Sequence, residues 1–388
     1  MKIALVSPYD YAHPGGVNSH ISHLEDNFTL MGHEVKIIAS SSRPLETRKK
    51  SNIILLGKPV PIRASGSVVR IPISPRLVFS DQVKAILRGE KFDVIHIHEP
   101  LLPALSTAVL HHSSQELVVG TFHAYRSHSW GYLFWKHIIL NRWFNKLDGR
   151  IAVSRAAMGF ISRYFPAEYT IIPNGIDFEH FSNKVAPVQQ YCDGKLNILF
   201  VGRMEKRKGF KYLLRAYELA KKEFAQCRLI VVSPYGHVCR QYQRLVAERG
   251  LKDVVFAGYV TYEDLPCYYQ AADIFCSPAT GKESFGMVLL EAMAAGKPII
   301  ASEIAGYADL ISHGVEGLLV RPEDERALAN TLLYLLYDSP TRERLGVQGQ
   351  LKAGHYGWEG VAQKVILYYQ KLLEGHTGVA SGEIACAC

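Results

Sequence analysis

The chain has 388 residues, of which 48% are hydrophobic, and this length predicts two domains with substantial cores. Its formal net charge of +8 at pH 7 indicates an anionic partner, such as a phosphate-bearing substrate, an acidic lipid surface or a nucleic acid. No run reaches the roughly 20 apolar residues of a membrane-spanning helix, a signal peptide is not evident, and the seven cysteines form no C-x2-C pair, so we expect reduced cytoplasmic thiols.

The N-terminal stretch predicts a strand–helix–strand unit. Residues 2–7 form an apolar run, apolar residues then recur at helical spacing, and a second apolar run covers 35–40. The first turn holds Pro14, Gly15 and Gly16 but lacks the Gly-x-Gly-x-x-Gly dinucleotide fingerprint, which disfavours a nicotinamide-dependent enzyme. Paired glycines let a backbone N–H approach a phosphate or sugar, although a tight turn alone explains them equally well.

The alternation of strands and helices continues along the chain and predicts parallel sheets with crossover helices, an α/β architecture. A polar stretch, 182–195, separates two such alternations and is predicted to be a linker. We therefore expect a first domain at 1–185, a second at 186–356, a C-terminal helix at 357–374 and a flexible tail at 375–388. Further strands are predicted at 53–57, 68–71, 93–98, 117–123, 150–154, 170–173, 197–202, 228–233, 254–258, 274–277, 298–302 and 317–320.

An aromatic segment, residues 130–143, holds three of the four tryptophans together with interleaved basic residues. A core helix of the first domain is the simpler interpretation. The alternative is an amphipathic helix at a membrane interface. Stacking on nucleic-acid bases is a weaker hypothesis, because no nucleic-acid-binding signature accompanies the segment, and we expect no nucleic-acid partner.

A basic loop, 202–209, follows the first predicted strand of the second domain. Arg203 and Lys208 would place two cations at the carboxyl end of that strand, where they could neutralise a diphosphate. A solvated basic loop before a helix is an equally good explanation of this segment alone.

Two carboxylates, Glu283 and Glu291, are separated by seven residues. The apolar run 287–295 predicts a helix that ends at Gly296, so Glu283 precedes the helix and Glu291 lies about two turns inside it. The free N–H groups near the helix start, at Phe285, Gly286 and Met287, are suited to a phosphate. A nucleotide-sugar fits this pattern, with Glu283 at the sugar hydroxyls and Glu291 at the ribose hydroxyls. An ordinary acidic loop with one solvated glutamate is the alternative.

Histidines occur at the ends of two predicted strands. His96 and His98 share one face of a strand and could suggest a metal site, but no third ligand has a fitting spacing. An Asp-x-Asp pair is also absent, so we expect neither a metal nor another cofactor, and a structural or acceptor-facing role for both residues. A lone histidine such as His123 is usually a satisfied core residue.

The Glu-x7-Glu stretch and the Gly-Arg-x-x-x-x-Lys-Gly loop resemble retaining glycosyltransferases of family 4. This resemblance implies the GT-B fold, in which two Rossmann-like, doubly wound domains face a central cleft and a C-terminal helix crosses back to domain one. It further implies catalytic or donor-binding roles for a set of residues: His123, Arg203, Lys208 and Glu283 in catalysis, and Gly15, Gly16, Arg203, Lys208, Tyr259, Val260, Glu283, Phe285, Gly286, Met287 and Glu291 around the donor.

The resemblance extends to family members that transfer mannose from GDP-mannose to the inositol of a membrane lipid. The matching segments include 8–9, 14–17, 66–70, 96–100, 121–123, 149–154 and 173–177. It implies acceptor contacts by Tyr9, Asn18 and Arg70, and a cytoplasmic enzyme peripherally bound to the inner, anionic face of the cell membrane. The sequence differs from these family members at three positions of their acceptor pocket, namely Asn18, Leu101 and Ala124. The resemblance therefore supports the identity of the donor better than that of the acceptor.

Two other functions remain open. A UDP-sugar-dependent transferase that makes a soluble glycoside or polysaccharide would share the fold. A non-catalytic GT-B nucleotide-binding scaffold is disfavoured, because a degenerate scaffold would be expected to have lost some of the site residues.

Overall fold

The computed structural model describes residues 1–13, 15–45, 52–64, 67–126, 128–234 and 236–383, with the side chains at 63, 64, 67, 68, 75, 137 and 376–383 left out. The predictions that concern Pro14, Gly66 and the end of the tail at 384–388 lie outside these residues. The chain forms two compact units. Unit 1 comprises Met1–Gly175 and Trp358–Cys388, and unit 2 comprises Ile176–Gly357.

Unit 1 is an α/β unit whose main sheet is entirely parallel. Its strands are β1 Lys2–Asp10, β2 Glu34–Ser40, β3 Ile53–Leu55, β4 Pro59–Ala64, β5 Ser67–Pro72, β6 Val94–His98, β7 Leu117–Phe122, β8 Gly149–Ala152 and β9 Thr170–Ile171. Its helices are α1 Gly16–Leu30, α2 Pro75–Val78, α3 Asp81–Glu90, α4 Leu105–His112, α5 Trp130–Trp135, α6 Asn141–Phe144 and α7 Arg155–Ile161, with a π-helical turn at Lys136–Leu140.

The order of strands places the ends of β1 and β6 side by side. Within the described residues the sheet runs β3-β2-β1-β6-β7-β8-β9. Successive residues of β1 face opposite sides of the sheet, so Ala4 and Val6 enter one apolar core and Ile3 and Leu5 enter the other. The strand order reverses between β1 and β6, and loops at such a switch point form a crevice beyond the carboxyl ends of the strands.

The predicted strand at 68–71 does not join the parallel sheet, which corrects that part of the prediction. Strand β5 pairs instead with β4 in an antiparallel two-stranded sheet, where Pro61 lies opposite Arg70. Prolines 59 and 61 remove backbone donors from β4, so this segment is unsuited to a central strand.

The C-terminal helix, Trp358–Glu383, packs on unit 1 and is longer than predicted. Its buried Val361, Val365 and Tyr369 belong to the apolar core that also contains Ile3 and Leu5. The predicted end at 374 therefore underestimates the helix, which includes the first nine residues of the predicted tail, 375–383.

The boundary between the units lies ten residues before the predicted one at 185. Ile176 makes a β-bridge to Gly357, and Phe181 and Tyr191 are buried in the core of unit 2. The composition of 182–195 predicts a linker, but Tyr191 within this stretch and Phe181 beside it attach it to the core of unit 2.

Unit 2 repeats the architecture with six parallel strands in its described residues. They are β10 Leu196–Val201, β11 Cys227–Val232, β12 Val254–Gly258, β13 Ile274–Ser277, β14 Ile299–Ser302 and β15 Gly317–Val320, in the order β12-β11-β10-β13-β14-β15. The helices are α8 Phe178–Ser182, α9 Phe210–Glu223, α10 His237–Glu248, α11 Leu265–Ala271, α12 Met287–Ala294, α13 Glu325–Tyr337 and α14 Ser339–Ala353. The switch point between β10 and β13 brings together the loops that follow these two strands.

The aromatic segment of 130–143 is only partly a core helix. Leu140 and the neighbouring Phe144 are buried, whereas Trp130, Phe134 and Ile138 are 82%, 68% and 66% exposed. The π-helical turn inserts an extra residue into the helix and so shifts which side chains face the core. No helix in the described part of the chain is long and apolar enough to cross a membrane.

Candidate functional site

The basic loop after β10 and the acidic loop after β13 meet at Glu283. The Lys208 Nζ lies 2.9 Å from Glu283 Oε1, and the Arg207 guanidinium pairs with the same oxygen. The Thr280 amide also donates to the Arg207 carbonyl at 2.8 Å, which joins the two loops through their backbones. The structure thus brings the predicted Lys208 and Glu283 into direct contact.

Arg207 is a site residue that the sequence reasoning missed. Its Nε donates to Glu205 at 2.7 Å while its other end pairs with Glu283. The predicted cation Arg203 instead has a side chain that is 57% exposed and pairs with Glu205 at 3.0 Å. The run of adjacent basic residues at 206–208 was the available signal, but spacing alone does not tell which cation turns towards Glu283.

Glycines allow the backbones around Glu283 to approach each other closely. Gly209 has φ +70°, and a Cβ there would lie 1.8 Å from the Pro278 carbonyl oxygen. A Cβ at Gly306 would lie equally close to the Glu283 carbonyl oxygen. The position of Glu283 is therefore set by tight backbone packing as well as by its ion pairs.

Helix α12 begins at Met287, as the sequence predicted, with Gly286 as its N-cap residue. Gly286 has φ +96°, and a Cβ there would lie 2.9 Å from the Tyr307 ring. Tyr307 is held by a 2.8 Å hydrogen bond between its hydroxyl and that of Ser277. The Phe285 side chain is buried in the core, so only its backbone is available to a ligand at the helix start.

The second carboxylate of the motif, Glu291, lies inside α12 and accepts a hydrogen bond from the Tyr269 hydroxyl at 2.8 Å. Burial raises the pKa of Glu291, and the positive charge of Lys208 partly offsets that rise. Tyr259 and Val260 follow the end of β12, where Tyr259 is 69% exposed and Val260 is half-buried. All of the predicted donor-binding residues from 203 onwards lie in unit 2.

A cluster of histidines lies at the switch point of unit 1. His98 Nδ1 and His123 Nε2, at the ends of β6 and β7, are 2.9 Å apart and share a hydrogen bond. His20 of α1 packs edge-on against both rings, at 5.2 and 5.0 Å between centroids, and its Nδ1 is hydrogen-bonded to Asn174. Burial lowers the pKa of His20 to about 3 and those of His98 and His123 well below the usual range, so all three rings are neutral at pH 7.

Within the described residues, these three histidines are the group whose geometry could hold a metal ion. Each offers one ring nitrogen, and the three nitrogens lie within 4.8 Å of one another. The sequence reasoning found no third ligand beside His96 and His98, because His20 comes from a distant helix. His96 is not part of the group, since its two nitrogens are bonded to Thr121 and Tyr369. The His98–His123 hydrogen bond uses His98 Nδ1, and the buried His98 Nε2 has no hydrogen-bond partner in the described part of the chain. The absence of a metal from the mechanism stays a prediction.

Glu99 follows β6 and shapes the loop that carries His123. Its carboxylate oxygen accepts from the backbone N–H groups of His123 and Ala124, both at 2.7 Å. Burial raises the pKa of Glu99, although these two hydrogen bonds favour the charged form. Glu99 adopts φ +52°, a conformation uncommon for a residue other than glycine.

The predicted acceptor residues lie in unit 1 and differ in how freely they could meet a ligand. Asn18 accepts from the Ser7 hydroxyl and donates to the carbonyls of Asp10 and His13, so its amide already holds the loop after β1. Tyr9 is half-buried near the end of strand β1, and Arg70 is half-buried on the β4–β5 hairpin. The acceptor-binding role of all three stays a prediction.

Gly15 and Gly16 mark the start of helix α1. Gly15 is the N-cap residue in an extended conformation, and Gly16 is the first helical residue. A Cβ at either position would meet nothing within 4 Å, so packing inside the protein does not require glycine there. The pair leaves the N-terminus of a 15-residue helix sterically open, which fits the predicted approach of an anionic group.

Comparisons with known proteins agree with this architecture. Residues 14–180 match the family Glycosyltransferase Family 4, and residues 186–352 match Glycosyl transferases group 1. The chain is 32% identical over 371 residues to a phosphatidyl-myo-inositol mannosyltransferase of Mycobacterium leprae, covering 95% of this chain and 96% of the relative. The Mycobacterium tuberculosis protein of the same name is 33% identical over 375 residues, covering 95% and 97%.

Solved structures show the same fold. A sucrose-phosphate synthase from Thermosynechococcus elongatus superposes with a TM-score of 0.73 at 24% identity, covering 96% of this chain and 99% of that one. Two Rossmann-like units, the paired Lys208–Glu283 loops and these full-length similarities lead to one assignment. The chain belongs to glycosyltransferase family 4 and is a glycosyltransferase of the GT-B fold.

Proposed function

We propose that this enzyme is a retaining, metal-independent transferase that moves mannose from GDP-mannose to a membrane lipid such as phosphatidylinositol. The pairing of Glu283 with Lys208 and Arg207 beside the start of α12 is the structural observation that supports it. The names of the full-length mycobacterial relatives support the choice of mannose and of an inositol lipid.

The donor diphosphate is assigned to the cations of the basic loop and to the start of α12. Lys208 and Arg207 already neutralise one carboxylate, and a diphosphate would bring further negative charge to the same groups. The N–H groups at Gly286 and Met287 add hydrogen-bond donors and the positive end of the helix dipole. Together these groups stabilise the charge of the leaving diphosphate without a divalent cation.

The state of the carboxylates supports a retaining course that uses no carboxylate nucleophile. Two cations bind Glu283, so its oxygen is a weak nucleophile, and Glu291 is held by Tyr269 inside α12. We propose same-face attack, in which the bond from the sugar C1 to the diphosphate oxygen breaks and the acceptor oxygen bonds to C1. The acceptor proton passes to the leaving phosphate oxygen. Neutral His123 can hydrogen-bond a sugar hydroxyl but does not serve as an acid at pH 7.

The lipid acceptor and the membrane location rest on surface chemistry. The chain carries a net charge of +8, and the aromatic segment exposes Trp130, Phe134 and Ile138. Basic attraction combined with shallow aromatic insertion is how a protein without a spanning helix binds an anionic surface. We therefore place the enzyme in the cytoplasm, at the inner face of the cell membrane.

A donor and acceptor screen tests the proposal. The purified protein is incubated with GDP-mannose or UDP-glucose, with either phosphatidylinositol vesicles or free myo-inositol, and with or without excess EDTA. We expect transfer from GDP-mannose to the vesicles, undiminished by EDTA, with the α-anomeric configuration of the donor kept in the product. Transfer from UDP-glucose to the free polyol would instead establish the soluble-glycoside alternative. Loss of activity with EDTA, restored by Mg²⁺ or Mn²⁺, would contradict the metal-independent mechanism and would make the histidine cluster the candidate metal site.

A further inference from the structure

A cavity of about 390 Å³ lies inside unit 1, within the roughly 300–1,000 Å³ range of small-molecule sites. It is partly open to solvent and is bounded by the ends of β1 and β6, the loop after β7, helix α7 and the aromatic segment. The lining residues form a polar end and an apolar end. The polar end comprises Tyr9, Glu99, Arg126 and Tyr132, and the apolar end comprises Leu101, Leu102, Trp135, Ile139, Leu140 and Phe160.

The polar end offers one cation and one carboxylate. Glu99 uses one oxygen for the backbone of the His123 loop, and the exposed Arg126 makes no hydrogen bond or ion pair within the described residues. Burial raises the pKa of both Tyr9 and Tyr132, so their hydroxyls are neutral donors at pH 7. This end therefore suits an anionic head that also carries hydroxyl groups.

The apolar end leads towards the exposed part of the aromatic segment. Leu101, Leu140 and Phe160 are at most 7% exposed, whereas the lining residues Trp135 and Ile139 are 50% and 36% exposed. The rim of the cavity is thus continuous along the chain with the exposed residues Phe134 and Ile138. Leu101 and Ala124, two departures from the family resemblance at the acceptor pocket, also line the cavity.

We propose that this cavity holds one hydrocarbon chain of the lipid acceptor, with the anionic head beside Arg126 and Glu99. This inference rests on the proposed function, because it specifies how the lipid acceptor is bound. A methylene group is about as large as a water molecule, whose share of liquid volume is roughly 30 Å³, so the cavity has room for on the order of ten such groups in all, shared between part of the head and the first methylenes of the chain. Each methylene transferred from water to an apolar site contributes about 0.8 kcal/mol, so the chain supplies affinity that a free polyol lacks.

Binding of cis-parinaric acid, a single-chain fluorescent fatty acid, tests the inference without any sugar donor. We expect saturable binding by the full-length protein below the micellar concentration of the probe. Ile139→Asp should weaken it by about ten-fold or more, because a carboxylate would enter the rim of the cavity. Ile138→Asp is the matched control, since Ile138 is the exposed neighbour that does not line the cavity, and it should change affinity by less than about two-fold.

A second variant fills the cavity instead of charging it. A Cβ at Gly131, which lines the cavity, would have Ser129 Oγ at 4.0 Å as its nearest neighbour, so Gly131→Phe can be built without backbone strain. We expect Gly131→Phe to abolish probe binding and Gly131→Ala to retain it. Arg126→Ala should weaken binding of parinaric acid but not of its methyl ester, because only the acid carries a charge. Unchanged thermal unfolding would show that the variants are folded.

Transfer assays link the cavity to the acceptor. We expect the wild-type enzyme to prefer phosphatidylinositol over glycerophosphoinositol, which has the same head but no chains, and Ile139→Asp to lose this preference. Absence of probe binding, or equal losses of probe affinity in Ile138→Asp and Ile139→Asp, would overturn the cavity inference while leaving the proposed function intact. A different result would overturn the proposed function. In that case the probe binds and Ile139→Asp, but not Ile138→Asp, weakens its binding, but the enzyme transfers no mannose from GDP-mannose to any lipid, so the bound chain would not belong to an acceptor.

Discussion

At the scale of the residue, the ion pairs of Glu283 with Lys208 and Arg207 give the first test of the proposed diphosphate site. We expect Lys208→Ala to lower kcat/KM by an amount equivalent to about 2–4 kcal/mol of transition-state stabilisation, because one half-buried charge proposed to face the leaving group is removed. Lys206→Ala is the matched control, since Lys206 belongs to the same short helix but is exposed. Steady-state kinetics with GDP-mannose provide the measurement, and equal activity of the two variants would contradict the assignment.

Arg207 provides a separate prediction, because the structure assigns it a contact that the sequence did not indicate. Arg207→Gln should lower kcat/KM by about ten-fold or more, since a charge-assisted contact is lost and Glu283 keeps only one cationic partner. Arg203→Gln should have a smaller effect on Glu283, as Arg203 is exposed and pairs with Glu205. A larger loss in Arg203→Gln than in Arg207→Gln would show that Arg203 is the principal diphosphate contact.

The buried histidines of unit 1 make stability depend on pH. His20 and His96 have pKa values of about 3 in the folded protein, because burial penalises their charged forms. The unfolded chain binds protons near pH 6.5 and the folded chain does not, so each histidine lowers stability as pH falls from about 6.5 towards 3, by up to about 1.4 kcal/mol per pH unit.

Chemical denaturation at pH 7.5 and pH 5.5 measures this effect. Glu99 and Glu291 have raised pKa values and contribute with the opposite sign. The comparison of wild type with His96→Asn isolates one histidine, and we expect a smaller loss of stability on acidification in the variant. An identical loss in both proteins would show that His96 is protonated to the same extent in the folded and unfolded chains.

At the scale of the element, helix α12 depends on glycines at both of its ends. Gly286→Ala and Gly296→Ala each place a side chain at positive φ, and each should cost on the order of 1 kcal/mol or more of stability. A Cβ at Gly286 would also lie 2.9 Å from Tyr307, whereas one at Gly296 would have Gln350 at 3.6 Å as its nearest neighbour. Calorimetric titration with GDP should show weaker binding only in Gly286→Ala, because only that end is assigned to the phosphate. Equal affinities in the two variants would remove the helix start from the donor site.

The elements of the two parallel sheets follow from local patterns. Apolar runs predicted the positions of the parallel strands, and the Gly-Lys-Pro ending predicted the end of α12. The sequence wrongly predicts that β5 joins the parallel sheet. A short apolar run looks the same in a parallel and in an antiparallel pair, so the run alone does not show that β5 pairs with β4. The polar composition of 182–195 wrongly predicts a linker. Tyr191 within the stretch and Phe181 just before it are buried in the core of unit 2, so these two side chains fix the stretch to that unit.

At the scale of the whole molecule, net positive charge and the exposed aromatic segment predict binding to anionic membranes. Flotation with phosphatidylglycerol-containing vesicles should recover the protein at low salt, and recovery should fall as ionic strength rises. Phe134→Asp should reduce recovery, because it places a carboxylate at the expected depth of insertion. Equal recovery on neutral phosphatidylcholine vesicles would contradict an electrostatic contribution.

The sequence by itself determined the two α/β alternations, the choice of the basic loop and of Glu283 as separate candidates, and the start of α12. These features depend on residue periodicity, turn chemistry and motif spacing, all of which are local. Tertiary structure alone decided that Arg207 turns towards Glu283, that His20 joins His98 and His123, and that a cavity opens beside Glu99. Some of these contacts join residues that are far apart in the sequence, and others use one of several neighbouring residues with the same charge. Which residues meet therefore depends on the packing of the complete fold.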